Sequence, residues 1–433
     1  MIFLSKQLTH LPRVEGHGKI YVEIDRESKR ILRVNLSIVE GSRFFEVFLK
    51  GRNIIEVPQI ASRICGLCGV SHAVCSAIAL ENALGLDIPE SVRRLREVIM
   101  ALNTIESHLI HVGVLSFPDY FNVKTFLELP ELVRNSVIKL IKLRTLVGKL
   151  LELLTGDRIH PRNIVPGGFT YLPSRNKVLP YLDELSKYID VLSSLFEILR
   201  ERIKLPSMER VGHYAALFTG NDYPLHTGSL IVDSKFLIPH KDFKNYFIES
   251  VVQYSTAKKS LLFGKESYMV GALARLNTNY LYLTKSAKEL LNELGLNLPS
   301  LNPYLIPIAQ AIEIVHFLDY IIRELKELEL TGMKVCPTIG QVRRGIGVGI
   351  VEAPRGILYH MYEIDGDGKV RYADIVTPTA QNFADIEESI KYLLPKLLRS
   401  NLLVPDNLKY EIEKLVRCYD PCISCSVHII FMK

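Results

Sequence analysis

The sequence predicts a predominantly α-helical α+β fold, a long helix bundle with small N-terminal and late β elements. Roughly the first 50 residues alternate apolar and polar side chains, which is typical of a small β-meander. From Val70 onward the apolar residues recur at helical spacing. Near residues 345–376, two apolar runs flank the turn Asp365-Gly366-Asp367-Gly368, which predicts a second β element.

Prolines, glycines and apolar spacing predict where the helices begin and end. One helix is expected over residues 70–84, before Gly85, and a long one runs from about Pro89 to Phe117, with Pro118 just after it. Further helices are predicted near 130–155, 180–204, 241–258, 284–294, 303–328, 383–399 and 406–417. Since no internal repeat or long linker separates these elements, we expect residues 1–433 to form a single domain.

Composition narrows the class of protein. The 433 residues are 48% hydrophobic and 23% charged, an ordinary globular balance, and the net charge of +6 is scattered rather than gathered into a nucleic-acid-binding run. The longest apolar stretches in the sequence are shorter than the roughly 18 residues that are needed to span a bilayer. No secretory signal is visible at the N-terminus. Seven cysteines, four of them in CxxC pairs, favour thiolate chemistry in a cytoplasmic, reducing compartment over a disulfide framework.

The two CxxC pairs are Cys65 with Cys68 and Cys422 with Cys425. Each pair places two sulfurs close enough to chelate one metal or bridge two, and soft thiolates select nickel, zinc, copper(I) or iron–sulfur clusters. Zinc ribbons separate their pairs by about 15–20 residues, whereas roughly 350 residues intervene here. Spacing alone leaves both a structural zinc site and a catalytic or redox metal open.

The residues around the cysteines carry a family resemblance. RICGLC at 63–68, with His72 four residues on, and DPCISCSVH at 420–428 resemble the two signatures of the nickel–iron hydrogenase large, catalytic subunit. Other segments match the family in order: RVEGH at 13–17, Phe45-Glu46, EAPRG at 352–356 and VTPT at 376–379. The ending looks most like the cytosolic nicotinamide- or deazaflavin-coupled enzymes.

The resemblance implies reversible heterolytic cleavage of dihydrogen to protons and electrons at a Ni–Fe(CN)2(CO) centre. All four cysteines would bind nickel, with Cys65 and Cys422 terminal and Cys68 and Cys425 also bridging to iron. The chemistry needs a Lewis-acidic metal together with a nearby base for the proton, and terminal thiolates supply that base. The cofactor then carries the bond-breaking, while the protein supplies orientation and electrostatics.

The resemblance also implies catalytic and orienting side chains. Glu15 would relay a proton from the Cys422 sulfur towards solvent. Arg355 would lie over the metals in a loop shaped by Pro354, and Asp420 would orient it through a bidentate carboxylate–guanidinium pair. Taken without their context, the glutamate, the arginine and the Asp-Pro sequence are more typical of surface turns and ion pairs.

The remaining implied roles concern groups around the cofactor. Pro378 and Thr379 would contact a cyanide ligand, and His72 would donate a hydrogen bond to a bridging thiolate. Glu46 and His428 would bind Mg2+ or Fe2+ near the C-terminus, because carboxylate plus imidazole suits either ion.

One position departs from the family. Many membrane-bound relatives carry an aspartate where this chain has Ser107, and Glu106 one residue earlier should face a different direction on the helix. We therefore expect one carboxylate fewer around Arg355. Cys75 matches no ligand position and is expected to be packed in the core.

The resemblance implies partners as well. No iron–sulfur motif exists beyond the four thiolates, so electrons would leave through an iron–sulfur small subunit, with flavin-containing diaphorase subunits beyond it. A maturation protease would remove residues 429–433. The alternatives are a non-catalytic homologue, similar to the quinone-site subunit of complex I, or a zinc-stapled scaffold.

Overall fold

The computed structural model describes residues 4–25, 28, 30–38, 44–189, 191–192, 206–330, 342–399 and 405–423. Several predicted features lie outside the described residues: Cys425, His428, the tail 429–433 and the end of the predicted helix 180–204.

The described helices of four or more residues are α1 Phe45–Phe48, α2 Val57–Ala61, α3 Gly69–Leu84, α4 Glu90–Ile110, α5 Phe117–Tyr120, α6 Glu131–Thr155, α7 Arg175–Ser186, α8 Phe243–Tyr246, α9 Ala272–Asn279, α10 Lys285–Glu293, α11 Ile306–Glu327, α12 Pro378–Arg399 and α13 Pro405–Cys418. Helix α4 lies at the centre, in contact with α3, α6 and α11. The predicted helix bundle is thus built around α4.

The described strands are β1 Leu4–His10, β2 Gly18–Asp25, β3 Ile31–Ile38, β4 Ile164–Val165, β5 Gly168–Phe169, β6 His213–Phe218, β7 Ser229–Val232, β8 Phe236–Ile238, β9 Phe247–Ser250, β10 Lys259–Leu262, β11 Tyr268–Met269, β12 Gly345–Ala353, β13 Gly356–Ile364 and β14 Val370–Val376. Strands β1, β2 and β3 form the predicted antiparallel meander. The four-stranded sheet β11-β6-β7-β8 was not predicted, because its strands are short and lack clear alternation.

The long helix continues past its predicted end. After α4 the backbone becomes π-helical over His111–Ser116 and then forms α5, which contains Pro118. Pro118 lies in the first turn of α5, where its missing N–H is least costly. The proline was therefore a poor guide to the end of this helix.

The predicted helix over 241–258 is wrong. A 3-10 turn at His240–Asp242 leads into the short α-helix Phe243–Tyr246, and Phe247–Ser250 then pairs antiparallel with β10. Phe243 and Phe247 are fully buried in a second hydrophobic core beneath the four-stranded sheet. Burial against that core and pairing with β10 override the local helical pattern.

The late sheet has three antiparallel strands, β12-β13-β14, where two apolar runs predicted a simple hairpin. The first run is split by a tight turn at Pro354-Arg355, and Arg355 therefore lies at one end of the sheet. Helix α3 packs on this sheet through glycines of β12. A Cβ on Gly347 would lie 2.0 Å from the Ala79 carbonyl oxygen, so only glycine permits this approach.

Two helical stretches, Glu90–Tyr120 and Pro303–Glu327, are long and apolar enough to cross a membrane. Stretches of this length were not predicted from the sequence. However, 83% and 78% of their most apolar windows are buried inside the protein. Helices in the core of a globular protein show the same length and composition.

Substitution of Gly347 by Ala should destabilise the fold. The new methyl group would overlap the α3 backbone, so we expect the free energy of unfolding to fall by roughly 1–3 kcal/mol. Urea denaturation measures this change. Gly366→Ala is the matched control, because nothing lies within 4 Å of its added Cβ. Equal stability of the two variants would contradict the proposed close packing.

Candidate metal centre

Three cysteines from opposite ends of the chain meet in one buried cluster. Cys65 follows a short 3-10 turn, Cys68 precedes α3, and Cys422 follows α13. Their sulfur atoms all lie within 4.8 Å of one another, and the Sγ atoms of Cys65 and Cys422 are 3.3 Å apart. Three convergent soft donors in a buried site can hold a transition metal.

The cluster favours a thiolate at Cys65. A hydrogen bond from the Cys68 thiol is the main cause that lowers the pKa of Cys65; burial opposes it, and the Arg355 charge adds to it. The amides of Leu67 and Cys68 also donate to the Cys65 sulfur, each at 3.3 Å. The same thiol–thiolate bond raises the pKa of Cys68 well above its usual range, and a bound metal would deprotonate both sulfurs.

The segment carrying Cys422 is fixed by two backbone contacts. Ile423 donates its N–H to the Glu15 carbonyl oxygen at 3.0 Å, within a parallel bridge between Glu15 and Cys422. Cys422 donates its own N–H to the Thr379 hydroxyl oxygen, also at 3.0 Å. The half-buried Glu15 therefore lies beside the cysteine cluster, at the boundary between interior and surface.

Asp119 joins the loop before Glu15 to the helix before Cys422. Arg417, in the last turn of α13, forms two hydrogen bonds to the Asp119 carboxylate, both 2.8 Å long. Arg13 binds the same carboxylate and also donates to the Leu115 carbonyl at 2.7 Å. Sequence reasoning missed this buried cluster, although Arg13 belongs to the RVEGH segment.

Arg355 projects from the turn between β12 and β13 and is buried. Its Nε donates to the Asp420 carbonyl oxygen at 2.7 Å and its Nη2 to one carboxylate oxygen at 3.0 Å. The predicted bidentate pair between Arg355 and the Asp420 carboxylate is therefore wrong. Only one of the two hydrogen bonds reaches the carboxylate, and the other reaches the main-chain carbonyl of Asp420. Asp420 has a positive φ of 51°, and its other carboxylate oxygen accepts from Gln310 at 3.3 Å.

A second buried arginine, Arg275, binds the main chain of the loop that carries Arg355. Arg275 forms two 2.7 Å hydrogen bonds to Glu313 and one of 3.1 Å to Glu352, and it also donates to the carbonyls of Ala353 and Pro354. Burial raises the pKa of Glu352 to about 7, although Arg275 opposes the shift. One arginine cannot neutralise both carboxylates, and the better-paired Glu313 keeps its charge.

His72 lies in the first turn of α3, with its ring buried against β13. Its Nδ1 is 3.0 Å from Nε2 of His360, whose Nδ1 is 2.6 Å from the hydroxyl oxygen of Tyr362. Burial lowers the pKa of His72 to about 3, so the ring is neutral. Its Nε2 has no hydrogen-bond partner among the described residues.

The other predicted site residues lie in distinct places. Glu46 is on α1, where its carboxylate accepts from the Ile375 amide at 3.0 Å, and burial raises its pKa against the effect of Lys258. Glu106 forms ion pairs with Arg158 and Arg144. Pro378 begins α12, one residue before Thr379.

The described residues fit a cofactor that carries acceptor groups. The buried polar atoms that lack a protein partner within the described part of the chain include His72 Nε2, Arg355 Nη1 and Ser107 Oγ. Buried donors of this kind are rarely left unsatisfied. Thiolate sulfurs and iron-bound cyanide are suitable acceptors for such donors, and the cysteine cluster supplies the metal ligands.

Comparison with known proteins decides the family. A family model described as nickel-dependent hydrogenase matches residues 43–135 and 229–428, more than half of the chain. The chain belongs to the nickel-dependent hydrogenase family. The expected family, fold class and enzyme class are therefore confirmed.

Relatives resemble this hydrogenase over nearly its whole length. Sulfhydrogenase 1 subunit alpha of Pyrococcus furiosus is 33% identical over 431 residues, which are 99% of both chains. The NAD-reducing hydrogenase HoxS subunit beta of Cupriavidus necator is 28% identical, across 99% of this chain and 96% of that protein. An NAD+-reducing NiFe hydrogenase structure in the H2-reduced state, 25% identical, matches with a TM-score of 0.86 over 99% of this chain and 100% of that chain.

The stability of the hydrogenase should fall as pH rises through the titration of Glu352. The folded pKa of about 7 exceeds the usual 4.5, so the native state holds the extra proton between these values. Stability is therefore greatest below this window and declines across it, by about 3 kcal/mol at 1.36 kcal/mol per pH unit. Glu352→Gln should flatten the decline, as measured by urea denaturation of metal-free protein from pH 5 to 8.

The matched control is Glu81→Gln. Glu81 is another buried glutamate, with both oxygens bound to Arg96 at 2.6 and 2.8 Å. This variant should retain the wild-type pH dependence in the same window. An unchanged decline in Glu352→Gln would show that another group binds the proton.

Proposed function

We propose that this hydrogenase subunit cleaves and forms dihydrogen at a Ni–Fe(CN)2(CO) centre held by Cys65, Cys68, Cys422 and Cys425. The convergence of three buried cysteine sulfurs within 4.8 Å, drawn from opposite ends of the chain, is the observation that supports it. Nickel and iron both accept such soft donors. Cys65 and Cys422 would be terminal ligands, and Cys68 and Cys425 would bridge.

When bound, the metal pair supplies the Lewis acidity that polarises dihydrogen. The Cys422 sulfur would accept the proton, a role supported by the parallel bridge between Cys422 and Glu15. The half-buried Glu15 carboxylate then carries the proton towards solvent. Backbone pairing at Ile423 keeps donor and acceptor segments in register.

Charged and polar groups around the cysteines would hold the cofactor. Arg355, restrained by Asp420, has its Nη1 free among the described residues to donate to a cyanide ligand. Thr379 accepts from the Cys422 amide, which leaves its hydroxyl proton available for the other cyanide, next to Pro378. Pro354 shapes the Arg355 loop.

His72 would donate from Nε2 to a bridging thiolate. At a second site, Glu46 with His428 would bind Mg2+ or Fe2+, an assignment supported by the burial and raised pKa of the Glu46 carboxyl. A divalent cation would compensate a carboxylate that is costly to ionise in that environment.

The broader assignment covers the whole chain. Residues 1–433 would form a single large-subunit domain, and a maturation protease would remove residues 429–433. Electrons would pass to an iron–sulfur small subunit and then to flavin-containing diaphorase subunits in a cytoplasmic complex. The subunit names of the relatives, alpha and beta, support a multisubunit enzyme.

Replacing Cys422 by Ala should abolish dihydrogen uptake and nickel incorporation together, because a thiolate ligand is lost. Metal analysis and hydrogen-dependent dye reduction on the purified complex measure both effects. Cys75→Ala is the matched control, since Cys75 is equally buried but donates to main-chain carbonyls instead. Full nickel content in Cys422→Ala, or zinc alone in the wild type, would refute the proposed centre.

Replacing Glu15 by Gln should separate proton transfer from metal binding. The amide has nearly the same shape but cannot relay a proton, so turnover should fall on the order of 100-fold while nickel content stays unchanged. Exchange of D2 with solvent protons measures the transfer directly. Glu23→Gln, on β2, is the control and should exchange normally; normal exchange in Glu15→Gln would assign the proton path elsewhere.

A further inference from the structure

A row of three hydrogen-bonding side chains leads from the metal site into the sheet. His72, His360 and Tyr362 are all fully buried, and each successive pair is within hydrogen-bond distance, at 3.0 and 2.6 Å. The row ends at His72 Nε2, which has no partner among the described residues. Neither His360 nor Tyr362 belongs to the predicted site.

The contact between α3 and the late sheet creates this row. His360 and Tyr362 are two residues apart on β13, so their side chains project from the same face of the strand. His72 comes from α3, which packs on that sheet through the β12 glycines. Cys75, one turn after His72, fixes the helix by donating to the carbonyls of Gly349 and Leu358.

Only two proton arrangements satisfy both hydrogen bonds when the two rings are neutral. In the first, Tyr362 donates to His360 Nδ1, His360 Nε2–H donates to His72 Nδ1, and His72 presents an N–H at Nε2. In the second, His72 Nδ1–H donates to His360 Nε2, His360 Nδ1–H donates to the Tyr362 hydroxyl oxygen, and His72 presents a lone pair at Nε2. The second arrangement would aim that lone pair at electron-rich thiolates.

The surroundings of Tyr362 favour the first arrangement. Burial raises the pKa of Tyr362, so its hydroxyl keeps its proton. Within the described residues, His360 Nδ1 is the one hydrogen-bond partner of that hydroxyl, and the nearby Ser76 hydroxyl has none, so His360 Nδ1 is the acceptor for the Tyr362 proton. Burial also lowers the pKa of His360 well below its usual range, which leaves that ring neutral with a single N–H.

We propose that Tyr362, acting through His360, fixes His72 in the tautomer that carries its proton on Nε2 and so makes it a hydrogen-bond donor towards the metal centre. Tyr362 is thus a positioning residue. This inference rests on the proposed function in one respect, namely that His72 faces the bridging thiolate.

The tautomer can be measured without the metals. Nitrogen NMR of histidine-labelled protein from nickel-starved cells distinguishes protonated from bare ring nitrogens, and His72→Ala assigns the resonances. We expect a protonated Nε2 and a bare Nδ1 in the wild type, and a mixture of tautomers in Tyr362→Phe. A bare Nε2 in the wild type, or an unchanged tautomer in Tyr362→Phe, would overturn the proposal.

The loaded enzyme provides a second readout. Loss of a donated N–H makes a bridging sulfur more electron-rich, so the infrared stretch of iron-bound CO should move to lower wavenumber in Tyr362→Phe. His72→Ala should shift it in the same direction and at least as far. Tyr268→Phe is the matched control, a fully buried tyrosine bonded at 2.7 Å to Ser260, and should cause no shift.

Failure of this inference and failure of the proposed role of His72 give different results. If His72→Ala shifts the CO stretch and Tyr362→Phe does not, His72 faces the centre but the tyrosine does not fix it, and the inference fails. If His72→Ala itself leaves the stretch unchanged, the proposed role of His72 fails. The NMR result on metal-free protein then decides the tautomer question independently.

Discussion

The pairing of residues 422–423 with the loop at Glu15 is the contact on which the site depends. Cys422 reaches Cys65 only because the end of the chain returns to the segment between β1 and β2. The single backbone hydrogen bond at Ile423 would be weak alone. It is reinforced by Thr379 on the Cys422 amide and by Asp119, which binds arginines on both sides of the junction. Cys422 and Glu15 are therefore positioned together by one junction.

The buried charges at this junction and next to the Arg355 loop are paired. Arg417 and Arg13 share Asp119, Arg355 binds Asp420, and Arg275 divides its donors between two glutamates. Unpaired charges in such an environment would be very costly, whereas pairs with additional hydrogen bonds are tolerated. The arrangement contributes less to stability than to geometry, because each guanidinium has several acceptors in fixed directions. The Nη1 atom of Arg355 has no hydrogen-bond partner among the described residues.

The late sheet, β12-β13-β14, positions residues around the proposed site in addition to supporting the fold. Its first hairpin turn carries Arg355, its middle strand carries His360 and Tyr362, and its glycines admit α3 with His72. A substitution that separates α3 from β12 would therefore disturb the His72 ring as well as the core. The close approach of the α3 and β12 backbones is therefore required both for the stability of the core and for the position of His72.

The sequence by itself determined the family, the candidate cysteine ligands and most helices, because CxxC spacing, flanking residues and helical periodicity are local properties. Residue-level motifs also indicated Glu15, Arg355 and Asp420. Only the tertiary structure decided which groups surround these residues and His72: Asp119, Gln310, Arg275 and the His360–Tyr362 pair come from distant segments and have no local signature. The same reason explains the errors at 241–258 and Pro118, where burial of Phe243 and Phe247 and a π-helical stretch outweighed local preference. Long-range packing selects among conformations that the local sequence permits, and pairwise contacts across more than a hundred residues cannot be inferred from spacing alone.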